Sequence, residues 1–247
     1  MERVIPRRHA LRLYCLPFAT GSASVYRDWT RWFPPSVEVR PLDYPGHGRR
    51  FGQRPLCSIH QIAQVFATEI ARDLDVPFVV FGHSMGALVG IELARELRRR
   101  RAPLPLKIYA SASPPPVNFR TARGSDVSAM PDERLRERLR RLGGTPAEML
   151  DNDELMQVMM PIARADLIAC SDYVHRPEPP LPCSVTALGG VEDHTFDQSH
   201  LARWREATSA EFDVAWMPGG HFFLHTHSSQ LMQWLRDDLR SVFPAAF

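Results

Sequence analysis

Short apolar runs and amphipathic stretches alternate along most of the chain. Leu11–Pro17 (LRLYCLP) and Val37–Asp43 (VEVRPLD) read as strands; a loop with Gly21 ends the first and the turn-rich PGHG ends the second. Ser58–Leu74 reads as a helix, with Ser58 as N-cap and Ile62, Val65, Phe66, Ile70 and Leu74 at helical spacing. Glu69 and Arg72 fall off that stripe and can face water. Phe78–Phe81 (FVVF) is wholly apolar, as a strand buried on both faces should be, and Met85–Arg101 is strongly helical. Leu106–Ala110, Ser184–Leu188 and Phe212–Met217 supply further strands, with helices at about Leu201–Ser209 and Gln230–Val242. This order predicts an α/β fold: a mostly parallel sheet, helices on both faces, right-handed crossovers.

One region breaks the alternation. From about Ser113 to Tyr173 the pattern is helical without a convincing strand, opening with Pro114–Pro116 and continuing through MPDERLRERLRRLGG and ELMQVMMPIARADL. Helices inserted between two strands of such a sheet commonly form a lid, and this insertion leaves from the sheet edge where a site should lie. The expectation is a single domain over residues 1–247 with a helical lid insertion at about 113–173.

Composition narrows the function classes. Apolar residues make up 44% of the 247, enough for a sizeable core. A net charge of +2 argues against nucleic-acid binding driven by bulk charge. Cys15, Cys57, Cys170 and Cys183 are scattered and form no CxxC pair, which suits free thiols in a reducing cytoplasm. The basic N-terminal stretch MERVIPRRHALRLYCLP has a short apolar run broken by Arg12, so no secretory signal is expected. No apolar stretch reaches the roughly 18 residues that suggest a membrane span. The expectation is a cytoplasmic monomer with neither membrane nor nucleic-acid partners.

The chemistry centres on Gly82-His83-Ser84-Met85-Gly86, which follows the buried strand FVVF and opens the helix GALVGIELAREL. A serine alcohol needs an exposed position and a base, and a sharp strand-to-helix turn between small residues supplies the exposure. GxSxG alone is weak, since a chain of this length gives about a tenth of a chance match; the strand–turn–helix setting raises it. It points to an α/β-hydrolase with Ser84 as nucleophile. Among ten histidines, His221 follows the last strand in Pro218-Gly219-Gly220-His221-Phe222-Phe223, so it can reach the serine across the top of the sheet. His225 and His227 read as solvated or capping residues. The acid should follow the preceding strand: Asp193 is the candidate, with Glu192 as runner-up. Asp193, His194, Asp197 and His200 could also suggest a metal cluster, but their loop lacks a recognised ligand spacing. The oxyanion hole needs two backbone N–H donors, assigned to Met85 and to Ala19 in the loop Phe18-Ala19-Thr20-Gly21.

Two arginine-rich stretches remain. Arg98–Arg101 ends the nucleophile helix, where positive charge suits the helix dipole. Arg134, Arg136, Arg138, Arg140 and Arg141 stud the insertion. Solvated helix faces explain both; docking of an acidic partner is the alternative.

The segments CLPFATGSA, PLDYPGHGRR, VVFGHSMGAL, LRRLGGTPAEML, PIARAD, ALGGVED, LARWREATSAEF and MPGGHFFL together cover nearly the whole chain. In these it resembles the stand-alone type II thioesterases of polyketide and nonribosomal peptide assembly lines. The resemblance implies a triad of Ser84, Asp193 and His221, an oxyanion hole at Ala19 and Met85, a mobile helical lid and no metal or organic cofactor. It implies hydrolysis of acyl thioesters held on the phosphopantetheine arm of acyl or peptidyl carrier proteins, clearing stalled or mis-primed units. Two positions depart from the family pattern: Thr20 stands where a glycine is usual, and His194 where a proline is usual after the acid. The competing readings are a small-molecule carboxylesterase on the same triad and a binding protein on an inactive hydrolase scaffold.

Overall fold

A computed structural model describes residues 9–118 and 127–247. The basic N-terminal residues 1–8 and residues 119–126 of the insertion lie outside the described residues. Six strands form one sheet in the order β2-β1-β3-β4-β5-β6. They are β1 (Leu11–Leu16), β2 (Val37–Pro41), β3 (Phe78–His83), β4 (Lys107–Ser111), β5 (Ser184–Gly190) and β6 (Phe212–Met217), and all five pairings are parallel. β2 stops short of its expected end because Asp43 turns away, its carboxylate accepting the amides of Ala23 at 2.7 Å and Arg49 at 3.1 Å.

Alternation along the strands sorts side chains into two cores. Tyr14, Leu16, Phe78, Val80, Ile108 and Ala110 face one layer with helices α1 (Ile59–Ile70) and α2 (Met85–Arg99). Leu13, Cys15, Val79, Phe81 and Tyr109 face the other, against helix α7 (Ser228–Val242), whose Leu231, Met232, Leu235 and Leu239 are buried. Ser58 caps α1 as expected, its hydroxyl accepting from the Gln61 amide. The helix expected near Leu201–Ser209 is instead a 3-10 helix over Gln198–Ala207. Its buried residues Leu201, Trp204 and Ala207 recur every third position, which stacks them on one face of a three-residue turn.

Between β4 and β5 the described residues hold helices α3 (Asp132–Leu142), α4 (Ala147–Leu150) and α5 (Asp153–Ser171) and no strand of the sheet. Leu135, Leu139, Leu150, Met156, Met160, Ala163 and Leu167 give this insertion a core of its own. Gly143 ends α3 at φ 78°, its amide donating to the Leu139 carbonyl, a left-handed cap that glycine adopts freely. A short helix α6 (Phe223–Thr226) precedes α7. No helix among the described residues is long and apolar enough to cross a membrane.

Candidate active site

The chain winds from β1 outward to β2, then returns to β3 on the other side of β1 and continues to β6. The carboxyl ends of β1 and β3 therefore flank the point where the winding reverses, the crevice where open α/β sheets bind ligands. The loop with Ala19 leaves β1 there, and Ser84 leaves β3 there.

Ser84 joins β3 to α2 with φ 53° and ψ −114°. Such a conformation costs a residue with a side chain about 1–3 kcal/mol. The neighbouring glycines make the turn feasible: a Cβ on Gly82 would run into the Gly86 carbonyl, and a Cβ on Gly86 would run into the backbone of Leu16 and Pro17. The start of α2 thus lies directly against the end of β1, and Ser84 is left half-buried at the rim. Met85 is the first residue of α2, so its N–H is one of those a helix leaves without an internal acceptor.

His221 follows β6 and Asp193 follows β5, and the fold brings them together. His221 Nδ1 lies 2.8 Å from Asp193 Oδ2, with the histidine side chain 13% exposed and the aspartate side chain 0%. The carboxylate can only accept, so Nδ1 carries the proton and Nε2 is the basic nitrogen. Burial works against the Asp193 charge, but hydrogen bonds from His221 and Thr195 outweigh it and hold the carboxyl below its ordinary range. Ser84, His221, Ala19, Thr20, Phe18 and Phe222 line one small cavity of about 40 Å³. Glu192, the runner-up acid, is exposed.

Three supporting residues escaped sequence reasoning. His83 is fully buried; its Nε2 donates to the His221 carbonyl at 2.9 Å and its Nδ1 accepts from Ser111 Oγ at 2.9 Å. Burial, with the nearby His221 ring, pushes the His83 pKa well below its ordinary value, so the ring is neutral. Thr195 donates both its amide and its hydroxyl to Asp193 Oδ1, at 2.9 and 2.7 Å. Gln198 donates to the carbonyls of Gly190 and Asp193, both at 2.8 Å, and so closes the acid loop. Their partners lie on other elements or in turns, so periodicity gave no sign of them.

The loop after β1 is a four-residue turn in which the Gly21 amide donates to the Phe18 carbonyl at 2.9 Å. Thr20, the departure from the family's glycine, keeps the left-handed conformation at φ 70°. Its amide donates to Asp166 Oδ2 at 2.7 Å, and His47 Nε2 meets the same oxygen at 2.9 Å. Asp166 belongs to the RAD motif on α5 and His47 to the PGHG motif, and their side chains are only 1% and 3% exposed. A second cavity of about 510 Å³ shares Phe18, Thr20, Gly144 and Thr145 with the Ser84 cavity and is also lined by Met149, Met159 and Ile162 of the insertion.

The family model of the thioesterase domain matches residues 11–239. The chain belongs to the thioesterase family. It is 37% identical over 232 residues to the gramicidin S biosynthesis protein GrsT of Aneurinibacillus migulanus, covering 94% of this chain and 90% of that one. The thioesterase RedJ of the prodiginine pathway in Streptomyces coelicolor superposes with a TM-score of 0.86 at 34% identity, covering 94% of this chain and 91% of that one. The type II thioesterase BorB of the borrelidin cluster gives 0.84 at 33%, covering 95% and 94%. The parallel sheet with helices on both faces is the α/β-hydrolase fold of this thioesterase family.

Other candidate residues have different tasks. Asp197 caps the 3-10 helix by accepting the Ser199 amide at 2.9 Å, and among the described residues no group of three potential ligands converges on a metal position. His225 does more than face solvent: its ring stacks on Phe222 at 6.3 Å, meets Phe18 edge-on at 5.6 Å and lines the larger cavity. His227 precedes α7 without capping it and pairs with Thr226 Oγ1 at 2.9 Å. Arg98 and Arg99 bind Glu178, each at 2.6 Å, and Arg100 binds Glu96 at 2.7 Å. In the insertion, Arg136 binds Asp153 at 2.8 Å and Arg140 binds Asp151 at 2.7 Å. These five arginines thus pair within the fold.

Proposed function

We propose that this protein is a stand-alone type II thioesterase that hydrolyses acyl groups from the phosphopantetheine arm of acyl or peptidyl carrier proteins in polyketide or nonribosomal peptide biosynthesis. The reading is carried by one observation: His221, hydrogen-bonded to Asp193, shares a cavity with Ser84 at the switch point of a thioesterase-family sheet. Cytoplasmic residence is part of the proposal, since carrier proteins charged with acyl groups are found there.

In this mechanism His221 Nε2 takes the Ser84 proton as Oγ attacks the thioester carbonyl. The N–H groups of Met85 and Ala19 receive the oxyanion, and each such donor contributes about 10²–10³ in rate. Collapse breaks the C–S bond. The thiolate leaves with the proton from the His221 imidazolium, and the acyl group stays on Ser84 as an ester. Water then attacks with His221 as base, the free acid departs, and Ser84 regains its proton. Asp193 orients His221 and balances its transient charge. The chemistry draws only on side chains and backbone amides.

The insertion acts as the lid, and the larger cavity beneath it takes the substrate. Met149, Met159 and Ile162 give its wall an apolar character suited to an acyl chain. The test compares hydrolysis of one short acyl group on a carrier protein, on free pantetheine and as a simple oxygen ester, with Ser84→Ala as control. Marked preference for the carrier-bound thioester is expected. Equal or faster turnover of the oxygen ester would move the function to a general esterase.

A further inference from the structure

We propose that Asp166 is a positioning residue that holds the oxyanion loop in its working form, so that this loop is complete only while helix α5 is seated over the site. The inference rests on the reading of Ser84 as nucleophile and of the Ala19 amide as an oxyanion donor.

The oxyanion loop is the turn Phe18-Ala19-Thr20-Gly21. A turn closed by the Phe18–Gly21 hydrogen bond has two common forms, which differ by a reversal of its middle peptide. One form gives the third residue a negative φ and suits most side chains. The other gives it a positive φ and favours glycine. Thr20 is β-branched and belongs in the first form, yet it occupies the second at φ 70°. The Thr20 side chain supplies little compensation, reaching among the described residues only Thr145 Oγ1 at 3.4 Å.

The compensation comes from α5. Asp166 Oδ2 accepts the Thr20 amide at 2.7 Å, within a site where the carboxylate is almost fully buried. Reversing the Ala19–Thr20 peptide would turn this N–H away and present the Ala19 carbonyl oxygen to the carboxylate, a repulsive contact in a poorly solvated place. Asp166 is itself fixed: His47 Nε2 donates to the same oxygen at 2.9 Å, and His47 Nδ1 faces the Pro45 carbonyl at 3.2 Å. Both ring nitrogens point at acceptors, so the ring serves as a buried cationic partner. The middle peptide lies immediately after the Ala19 amide, so its orientation sets the ψ angle of the residue that donates to the oxyanion. Asp166 therefore acts on the chemistry through the loop and not by contact with the reacting atoms.

The experiment measures kcat and KM of folded Asp166→Ala on an acyl-pantetheine thioester, alone and combined with Thr20→Gly. Loss of a well-placed oxyanion donor predicts a kcat lower by about 10–100-fold with KM changed less than about threefold. Glycine takes the left-handed conformation without strain, so adding Thr20→Gly is expected to recover at least about threefold in kcat. A kcat within twofold of wild type for Asp166→Ala, or no recovery on adding Thr20→Gly, overturns the proposal. If Asp166→Ala does not fold, Asp166→Leu, which fills the volume but accepts no hydrogen bond, gives the same comparison with and without Thr20→Gly. Ser84→Ala is measured in parallel. Full activity there would defeat the serine-nucleophile reading, whereas an inactive Ser84→Ala leaves the Asp166 comparison as a test of positioning alone.

Discussion

Asp193 Oδ2 and His221 Nδ1 stand 2.8 Å apart although the residues leave different strands, β5 and β6. β5 and β6 are neighbours in parallel register, with Gly190 opposite Met217, so the loops that follow them emerge side by side. The Glu192 amide donates to the Gly219 carbonyl at 3.0 Å and ties the two loops together. Asp193→Asn would keep the volume but favour the wrong imidazole tautomer. A fall in kcat of about 10³–10⁴ is expected, with little change in thermal stability. Steady-state kinetics on an acyl-pantetheine thioester checks this, and a loss under tenfold would contradict it.

Gly86→Ala tests the steric account of the nucleophile turn. The new Cβ would press on the backbone of Leu16 and Pro17, where no side chain can move aside. Overpacking of this kind costs about 1–3 kcal/mol. For a chain of this size that corresponds to a Tm lower by roughly 2–12 °C, read by differential scanning calorimetry. An unchanged Tm would mean that the elbow is looser than described.

His47 and His83 should give opposite pH signatures. Burial alone would lower the His47 pKa, but Asp166, the Pro45 carbonyl and Asp43 outweigh it and raise the pKa above the ordinary 6.5. Its contribution to stability is full below pH 6.5 and fades as pH rises through the folded value. His83, buried and beside His221 and His225, is lowered well below 6.5, so its contribution is full above 6.5 and fades as pH falls. The Tm difference between wild type and His47→Gln should therefore shrink from pH 6 to pH 9. That between wild type and His83→Gln should shrink from pH 7 to pH 5. Differences independent of pH would contradict both assignments.

Thr195→Val tests support for the acid. It removes the hydroxyl that donates to Asp193 Oδ1 at 2.7 Å and leaves the amide donor at 2.9 Å in place. The carboxyl then loses one of the bonds that hold its pKa down. A kcat reduced by about three- to tenfold is expected, in line with roughly 1 kcal/mol for one hydrogen bond, and steady-state kinetics on an acyl-pantetheine thioester checks it. An unchanged kcat would show that Thr195 is dispensable.

Much of this arrangement was legible in the sequence because its signals are local. FVVF is apolar throughout since β3 is covered on both faces, and the glycines of GxSxG answer to contacts within a few residues or with one neighbouring strand. The order proposed for the triad follows strand order, and Ser84, Asp193 and His221 stand after β3, β5 and β6 of one sheet. What stayed hidden depends on distant partners. His83 sits inside the motif, yet its bond to His221 spans 138 residues, and Asp166 reaches Thr20 across 146. The spacing of Leu201, Trp204 and Ala207 separates a 3-10 from an α-helix by only about 0.6 residue per turn, too little to decide from sequence over a ten-residue stretch. Thr20 shows the same limit from the other side: its side chain argues against a left-handed turn, and only the buried carboxylate of Asp166 explains why the turn holds.

The most direct test of the account is acid-quenched mass spectrometry of the enzyme mixed with an acylated carrier protein. The account predicts a transient mass increase equal to one acyl group on the peptide containing Ser84, accompanied by free carrier thiol and absent from Ser84→Ala, which also fails to turn over. Release of the acyl group with no adduct at Ser84, and at an undiminished rate by Ser84→Ala, would contradict it.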